Sequence, residues 1–295
     1  MTIKKAPIQL KLLQYRESFI GFLFASPAIF GTLVFFLAPF AVAIYISLTQ
    51  SIDATGLAGI HNYTAMLENH TFQIAMWNTA RFIFTAVPII MAFSLTVALL
   101  LHRKLHGSKL FTSVFVFPLV LPIASVVLFF QIIFAGDGIV NQAMSALGLP
   151  VTDWLQSDSS FTVLVVLYVW KNCGYNIILF LAALNSIPNE LFDAVKLETR
   201  SQMKQLTHVT LPLISPYLFF IMCISVINTF RSFREAYILL GEYPHTSIYM
   251  VQHFITNNIR HLNYPRLSVA AILVFLAIVV LILIMFRFRR SAATQ

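Results

Sequence analysis

The chain has 295 residues, of which 59% are apolar and 10% charged, with a mean hydropathy of +0.83 and a formal net charge of +8. Soluble domains carry roughly a quarter of their residues as charges, so this composition excludes an ordinary water-soluble protein and places the chain in a bilayer. The basic excess flanks apolar runs, where topology and anionic membrane lipid account for it, and no nucleic-acid partner is expected.

A bilayer core about 30 Å thick takes roughly 20 apolar residues per helical crossing. Six such runs are predicted, at Phe19 to Leu48, Asn78 to Leu101, Leu110 to Ala135, Phe161 to Leu184, Pro212 to Leu240 and Leu267 to Phe288. Each is continuously apolar, whereas barrel strands would alternate over about ten residues, so the fold class is an all-α polytopic membrane bundle of six transmembrane helices. Lys4, Lys5, Lys11 and Arg16 precede the first run. That run exceeds the apolar core of a signal peptide, about 7 to 15 residues, and Pro27 and Pro39 interrupt it, so an uncleaved first helix is expected.

Arg103, Lys104 and Lys109 follow the second run, Lys196, Arg200 and Lys204 separate the fourth from the fifth, and Arg287, Arg289 and Arg290 mark the tail. With six crossings all these basic regions share one side, which the positive-inside rule makes cytoplasmic. The loops from Thr49 to Trp77 and from Gly136 to Ser160 hold Asp53, Glu68, Asp137 and Asp153 but no Lys or Arg. Residues 1–18 and 289–295 are therefore expected as cytoplasmic segments around one membrane domain, 19–288, with a cytoplasmic loop at 186–212.

Two polar clusters interrupt the apolar runs. In the fourth, Lys171, Asn172, Tyr175 and Asn176 lie at a depth where a cation must face water or a partner group. Tyr175 and Trp170 have rings suited to stacking on a sugar or to simple packing. In the fifth, Ser225, Asn228, Thr229 and Ser232 fall at i, i+3, i+4 and i+7, which gives one helix a polar face. Such a face lines a wet path or joins helices, since Ser, Thr and Asn do both. Arg231, Arg234 and Glu235 close that run and suit local ion pairs, a docked protein or an acidic solute.

Chemistry within the chain is not expected. No His-Glu-x-x-His pair and no G-x-x-x-x-G-K-[ST] loop occurs, and Gly136-Asp137-Gly138 has no second aspartate in a span. His102 and His106 stand four apart without a third metal ligand, while Cys173 and Cys223 sit inside spans as inert thiols. No buried Asp or Glu is expected in the spans, which suits half of a translocation pore better than a self-sufficient ion-coupled carrier or channel.

The segment Ile187 to Pro216 is polar and helix-biased. Ser186 is placed to cap a helix with Pro188 in its first turn and Glu190 near its positive end. Leu191, Ala194, Val195 and Glu198 follow at helical spacing, giving an apolar stripe that fits its own bundle, the lipid interface or a partner.

Here the sequence resembles a known family. Ile187, Pro188, Glu190, Leu191, Phe192, Ala194, Leu197, Thr210, Leu211, Pro212 and Leu213 match the EAA loop of ATP-binding-cassette importer permeases of the carbohydrate-uptake type. Asp193 replaces its Glu, Val195 its second Ala and Glu198 its Asp, and Thr199 stands where the family has Gly, so the turn after the helix must be built without ready access to positive φ. Phe24 to Ala28, Gly59-Asn62-Tyr63, Asn78-Thr79, Phe117-Pro118 and Val169-Trp170-Lys171 resemble further phrases of the maltose-type and glycerol-phosphate-type permeases, in the same order. The resemblance implies the type I importer permease fold with a cytoplasmic coupling helix, in which Glu190, Asp193, Ala194, Val195, Glu198 and Thr199 meet the ATPase. It also implies a sugar-type substrate at Asn228, Thr229, Ser232, Ser225, Asn172, Asn176, Tyr175 and Arg231, with a phosphorylated or acidic solute as the alternative. Implied partners are a homologous second permease, two ATPase copies and an external solute-binding protein. ATP and Mg would then be bound by the ATPases, and the chain would sit in a bacterial inner membrane with both termini cytoplasmic.

Overall fold

The computed structural model describes residues 6–50, 56–103, 107–199 and 201–292. Lys4, Lys5, Asp53, Lys104, His106 and Arg200 fall outside the described residues, as do the side chains of Lys11, Arg16, Lys109, Ala194, Lys196, Leu197, Glu198, Arg231, Arg289 and Arg290. Among the described residues every named element is helical, and one isolated bridge joins Thr49 to Leu57. Two compact units form, Met1–Met66 with Leu262–Ile272, and Leu67–His261 with Leu273–Gln295.

In the first unit the opening apolar run becomes α1 (Ala6–Thr32), a π-helical turn (Leu33–Leu37) and α2 (Ala38–Ser47). Pro39 lacks an N–H and its ring crowds the preceding turn. The ladder slips by one residue just before it, the Ala38 N–H reaching back to Leu33 O. The short α3 (His61–Leu67) begins after Gly59, whose φ of +58° suits a residue without Cβ. It fastens the end of α2: Asn62 donates to Ser47 O (2.9 Å) and Thr49 O (2.8 Å), and the Tyr63 hydroxyl meets Ser47 Oγ at 2.7 Å. The Gly-x-x-Asn-Tyr phrase is thus a staple for helix-end carbonyls that have no intrahelical partner.

The second unit is built on α4 (His70–His102) and α8 (Ser160–Asn185), which pack along each other. Asn69 caps α4 by accepting from Phe72 N at 3.0 Å. Phe82, Leu164, Tyr168, Ile177, Phe180, Ile214 and Ile221 fill the core, with Phe82 edge-on to Tyr168 at 5.4 Å. The Asn-Thr pair on α4 holds the outer connection: Asn78 donates to Thr246 O (2.6 Å) and Tyr249 O (3.0 Å), and Thr79 accepts from Val251 N (3.1 Å).

The third apolar run is not one helix, as expected from sequence, but two. It divides into α5 (Ser108–Val120) and α6 (Ile123–Ile133), bent by 98° at Leu121-Pro122. Proline disfavours the helical region for the residue before it, and Leu121 accordingly lies at φ −67°, ψ 141°. Among the described residues there are therefore five helices long and apolar enough to cross a membrane, or six spans with the bent pair counted as one, by length and composition. After α6 come α7 (Ile139–Ala146) and a loop gathered by Asn141. That side chain donates to Ala135 O, Gly136 O and Thr152 O and accepts from Thr152 N and Trp154 Nε1.

The loop after α8 also departs from expectation at its start. Ser186 caps no following helix: it closes α8, its hydroxyl donating to Ala183 O at 2.7 Å. The next helix, α9 (Asn189–Glu198), has Pro188 at its N-cap rather than in its first turn, without a side-chain cap bond. Proline's extended ψ of 137° turns the chain out of one helix and into the next. Thr199 ends α9 in extended backbone, φ −146° and ψ 136°, so the turn is made without the left-handed residue that Gly would supply. Ser201 then caps α10 (Gln202–Gln205), which runs through a second π turn, Leu206–Thr210, into α11 (Leu211–Arg231), again just before a proline, Pro212. The fifth run breaks at Ser232 and resumes as α12 (Phe233–Leu240). The amphipathic α13 (Val251–Arg260) and the long α14 (Tyr264–Ala292) complete the chain.

Candidate functional site

The break between α5 and α6 faces a cavity of about 910 Å³. Its walls are Leu119, Leu121, Pro122 and Ile123 from the break, Lys171, Asn172 and Tyr175 from α8, Ile224, Ile227 and Asn228 from α11, and Ser232, Arg234 and Glu235 from the α11–α12 junction. Apolar walls with a few convergent polar groups are the usual make-up of a small-molecule site.

The eight residues singled out in the sequence divide here. Asn172, Tyr175, Asn228 and Ser232 line the cavity together. Asn176, Ser225 and Thr229 are buried behind it, where Asn176 donates to Ser225 Oγ (2.9 Å), Tyr168 donates to Ser225 O (3.1 Å) and Thr229 turns back on Val226 O (2.6 Å). The two bonds to Ser225 join α8 to α11, the gluing role open to small polar residues, whereas the Thr229 bond stays within α11. Arg231 ends α11, and its side chain is outside the described residues.

The charge arrangement corrects one expectation. A buried acid does lie in the spans: Glu235, 5% exposed, accepts from the ammonium of Lys171, itself 7% exposed. The pair joins α8 to α12 and forms part of the cavity wall. A lone lysine inside an apolar helix would be expensive, and the carboxylate offsets that cost. Two polar atoms at the site have no protein partner among the described residues, Glu235 Oε2 and Ser232 Oγ. Sequence reasoning demanded a partner for Lys171 and placed Glu235 inside a predicted span; the signal lay in joining the two.

A second cluster packs α12 against α13. His253, fully buried, is ringed by Phe233 (centroids 4.7 Å), Tyr237 and Tyr249, and its Nδ1 accepts from Met250 N at 3.1 Å. Burial pushes its imidazole down to about 4 from an ordinary 6.5, and burial likewise raises the Tyr249 phenol. The folded protein therefore holds His253 neutral while an unfolded chain protonates it near 6.5. As pH falls below that value the unfolded form takes up a proton that the folded form refuses, so stability declines until about pH 4, where both forms titrate. Thermal unfolding followed from pH 7 to pH 4 should show this loss, on the order of 3 kcal/mol, and His253→Phe should flatten it.

On the loop between the fourth and fifth spans, α9 is attached to its own bundle through Phe192, which packs on the core and beside His102 at 5.7 Å. Leu191 on the same helix is 42% exposed, flanked by the exposed Glu190 and Asp193, while Val195 is half-buried. Among the other residues expected there, Thr199 accepts from Ser201 N (3.2 Å), and the Ala194 and Glu198 side chains lie outside the described residues.

Together these features define a multi-pass helical membrane protein with a polar cavity among its helices and an amphipathic helix presented from one loop. Residues 86–292 match the model of the binding-protein-dependent transport system inner membrane component family. The chain belongs to that family. It is 31% identical over 249 residues to the arabinooligosaccharides transport system permease protein of Bacillus subtilis, covering 81% of this chain and 79% of that one. It is 28% identical to the trehalose/maltose transport system permease protein of Thermococcus litoralis, over 95% of this chain and 97% of the other. A chain in the crystal structure of a bacterial alginate ABC transporter, in complex with an alginate pentasaccharide-bound periplasmic protein, superposes with a TM-score of 0.82 at 19% identity, over 95% of this chain and 96% of that one.

Proposed function

We propose that this chain is the permease subunit of an ATP-driven importer that carries a sugar or sugar derivative delivered by an external solute-binding protein. The observation that carries this reading is family membership combined with a cavity that Asn172, Tyr175, Asn228 and Ser232 line together. Hydroxyl groups crossing a membrane need such partners, because leaving them unpaired in an apolar path is costly. In this reading a homologous second permease completes the pathway, two ATPase copies bind ATP and Mg outside this chain, and α9 meets the ATPase through Leu191 and its acidic neighbours. The basic segments then face the cytoplasm with both termini, and ATP-driven movement of α9 switches the bundle between outward and inward openings. The chain itself performs no chemistry.

The test is uptake by proteoliposomes holding the assembled importer, with radiolabelled maltotriose and arabinotriose as probes. Uptake should stop when ATP or the ATPase is withheld, and Asn228→Ala should lower it about tenfold, the loss of one hydrogen bond worth ~1.4 kcal/mol. Uptake that continues without ATP or partners would establish an independent carrier instead.

A further inference from the structure

The charges around the cavity are unequal in their freedom. Lys171 and Arg234 are cationic, and the backbone N–H groups that open α6 at Ile123 add positive potential to the same cavity. A cavity with those features alone would draw in a carboxylate or phosphate. Glu235 already fills that place. Its carboxylate engages the Lys171 ammonium inside a wall where both side chains are over nine-tenths buried, while Arg234 is exposed and its field is weakened by water. One Glu235 oxygen, Oε2, accepts no hydrogen bond from the described residues, and neither does the neighbouring Ser232 hydroxyl engage a partner.

We propose that Glu235 is a resident anion that makes this cavity selective for uncharged, hydroxyl-bearing solutes over acidic ones. This rests on the sugar-permease reading and decides a matter that the fold leaves open, since the alginate transporter of the same fold is described as importing an acidic polysaccharide. A solute hydroxyl donates to the spare carboxylate oxygen with a small shift of the side chain, and Ser232 lies one turn away as a second partner. A uronate or phosphate at the same point meets an acceptor facing an acceptor, with Lys171 already neutralised. Selection by a built-in repulsive group is a general route to specificity.

The experiment is equilibrium binding to the purified, assembled importer, with radiolabelled neutral trisaccharides (maltotriose, arabinotriose and raffinose) and trigalacturonate as probes. The unmodified protein should bind a neutral trisaccharide at least tenfold more tightly than trigalacturonate. Glu235→Gln keeps size and hydrogen bonding but frees the ammonium; trigalacturonate should then bind at least tenfold more tightly than before, and the gain should vanish in high salt. Lys171→Met combined with Glu235→Gln should show no such gain. A preference for trigalacturonate in the unmodified protein overturns the proposal whether or not the variants fold. So does an unchanged preference in Glu235→Gln, which leaves the sugar reading intact provided Asn228→Ala weakens neutral binding. Absence of binding to every saccharide in the unmodified protein, by contrast, removes the sugar-lined cavity and this inference together.

Discussion

Replacing Lys171 by Met is expected to destabilise the protein by about 3 to 5 kcal/mol, the cost of leaving a buried carboxylate without its partner. The consequence should appear as a lower unfolding midpoint of the purified protein and a lower yield from the membrane. Lys171→Met together with Glu235→Leu should recover most of the loss, because an apolar pair of similar volume needs no counter-charge. The cycle is therefore expected to be strongly non-additive, with the double variant closer to the original protein than the single one. An additive result would mean that the two side chains do not share one interaction in the membrane. Stability in this cycle and solute preference in the Glu235→Gln experiment read different properties of the same pair.

Gly174→Val should disrupt packing of α5 on α8 more severely than any surface change. A Cβ at Gly174 would lie 2.2 Å from Phe115 O and 2.8 Å from Val116 Cα, so the obstruction is backbone and cannot rotate away. Overpacked sites in close-packed interiors cost about 1 to 3 kcal/mol, and here the upper end or beyond applies because two helices must separate. Gly31→Ala provides the contrast. No atom lies within 4 Å of a Cβ built there, and Ala is the better helix former by about 0.5 to 1 kcal/mol. Thermal unfolding of the two variants side by side should give a large drop for the first and no loss for the second.

These two sites differ in how far they could be read from the chain alone. The six apolar runs were legible because a bilayer imposes length and continuity on every segment that crosses it. Lys171 announced a need for a counter-charge, yet which acid would answer depended on how α12 packs against α8, information spread over sixty residues. Gly174 carried no signal, since a glycine in a helix means little until the neighbouring backbone is known to touch it. Pro122 stands in plain view inside the third run, yet that run reads as a single helix in the sequence, although the rule against helical backbone before proline applies to Leu121. The size of the bend, 98°, could not be read there, and in the folded chain α6 packs on α12. At the polar loop, Thr199 for Gly correctly implied a turn without positive φ. Ser186 misled because a serine between two helices can close one or open the other, and the preceding ladder took it. The polar face of the fifth run divides in the structure: Ser225 bonds to Asn176 and Tyr168 on α8, Thr229 turns back on Val226 O, and Asn228 and Ser232 line the cavity.

The bend at Leu121-Pro122 has a consequence for biogenesis. Its arms, at 1.5 Å per residue, are about 20 Å and 17 Å long, and neither alone matches a hydrocarbon slab of about 30 Å. The carbonyls that end the first arm and the amides that begin the second also lack partners within their own segment, and lipid supplies none. This stretch therefore gains little by leaving the insertion machinery alone. It is expected to be held back until α8 has been synthesised and offers the groove at Gly174, so that release into lipid becomes a joint event for the bent pair and α8 rather than a sequence of single helices.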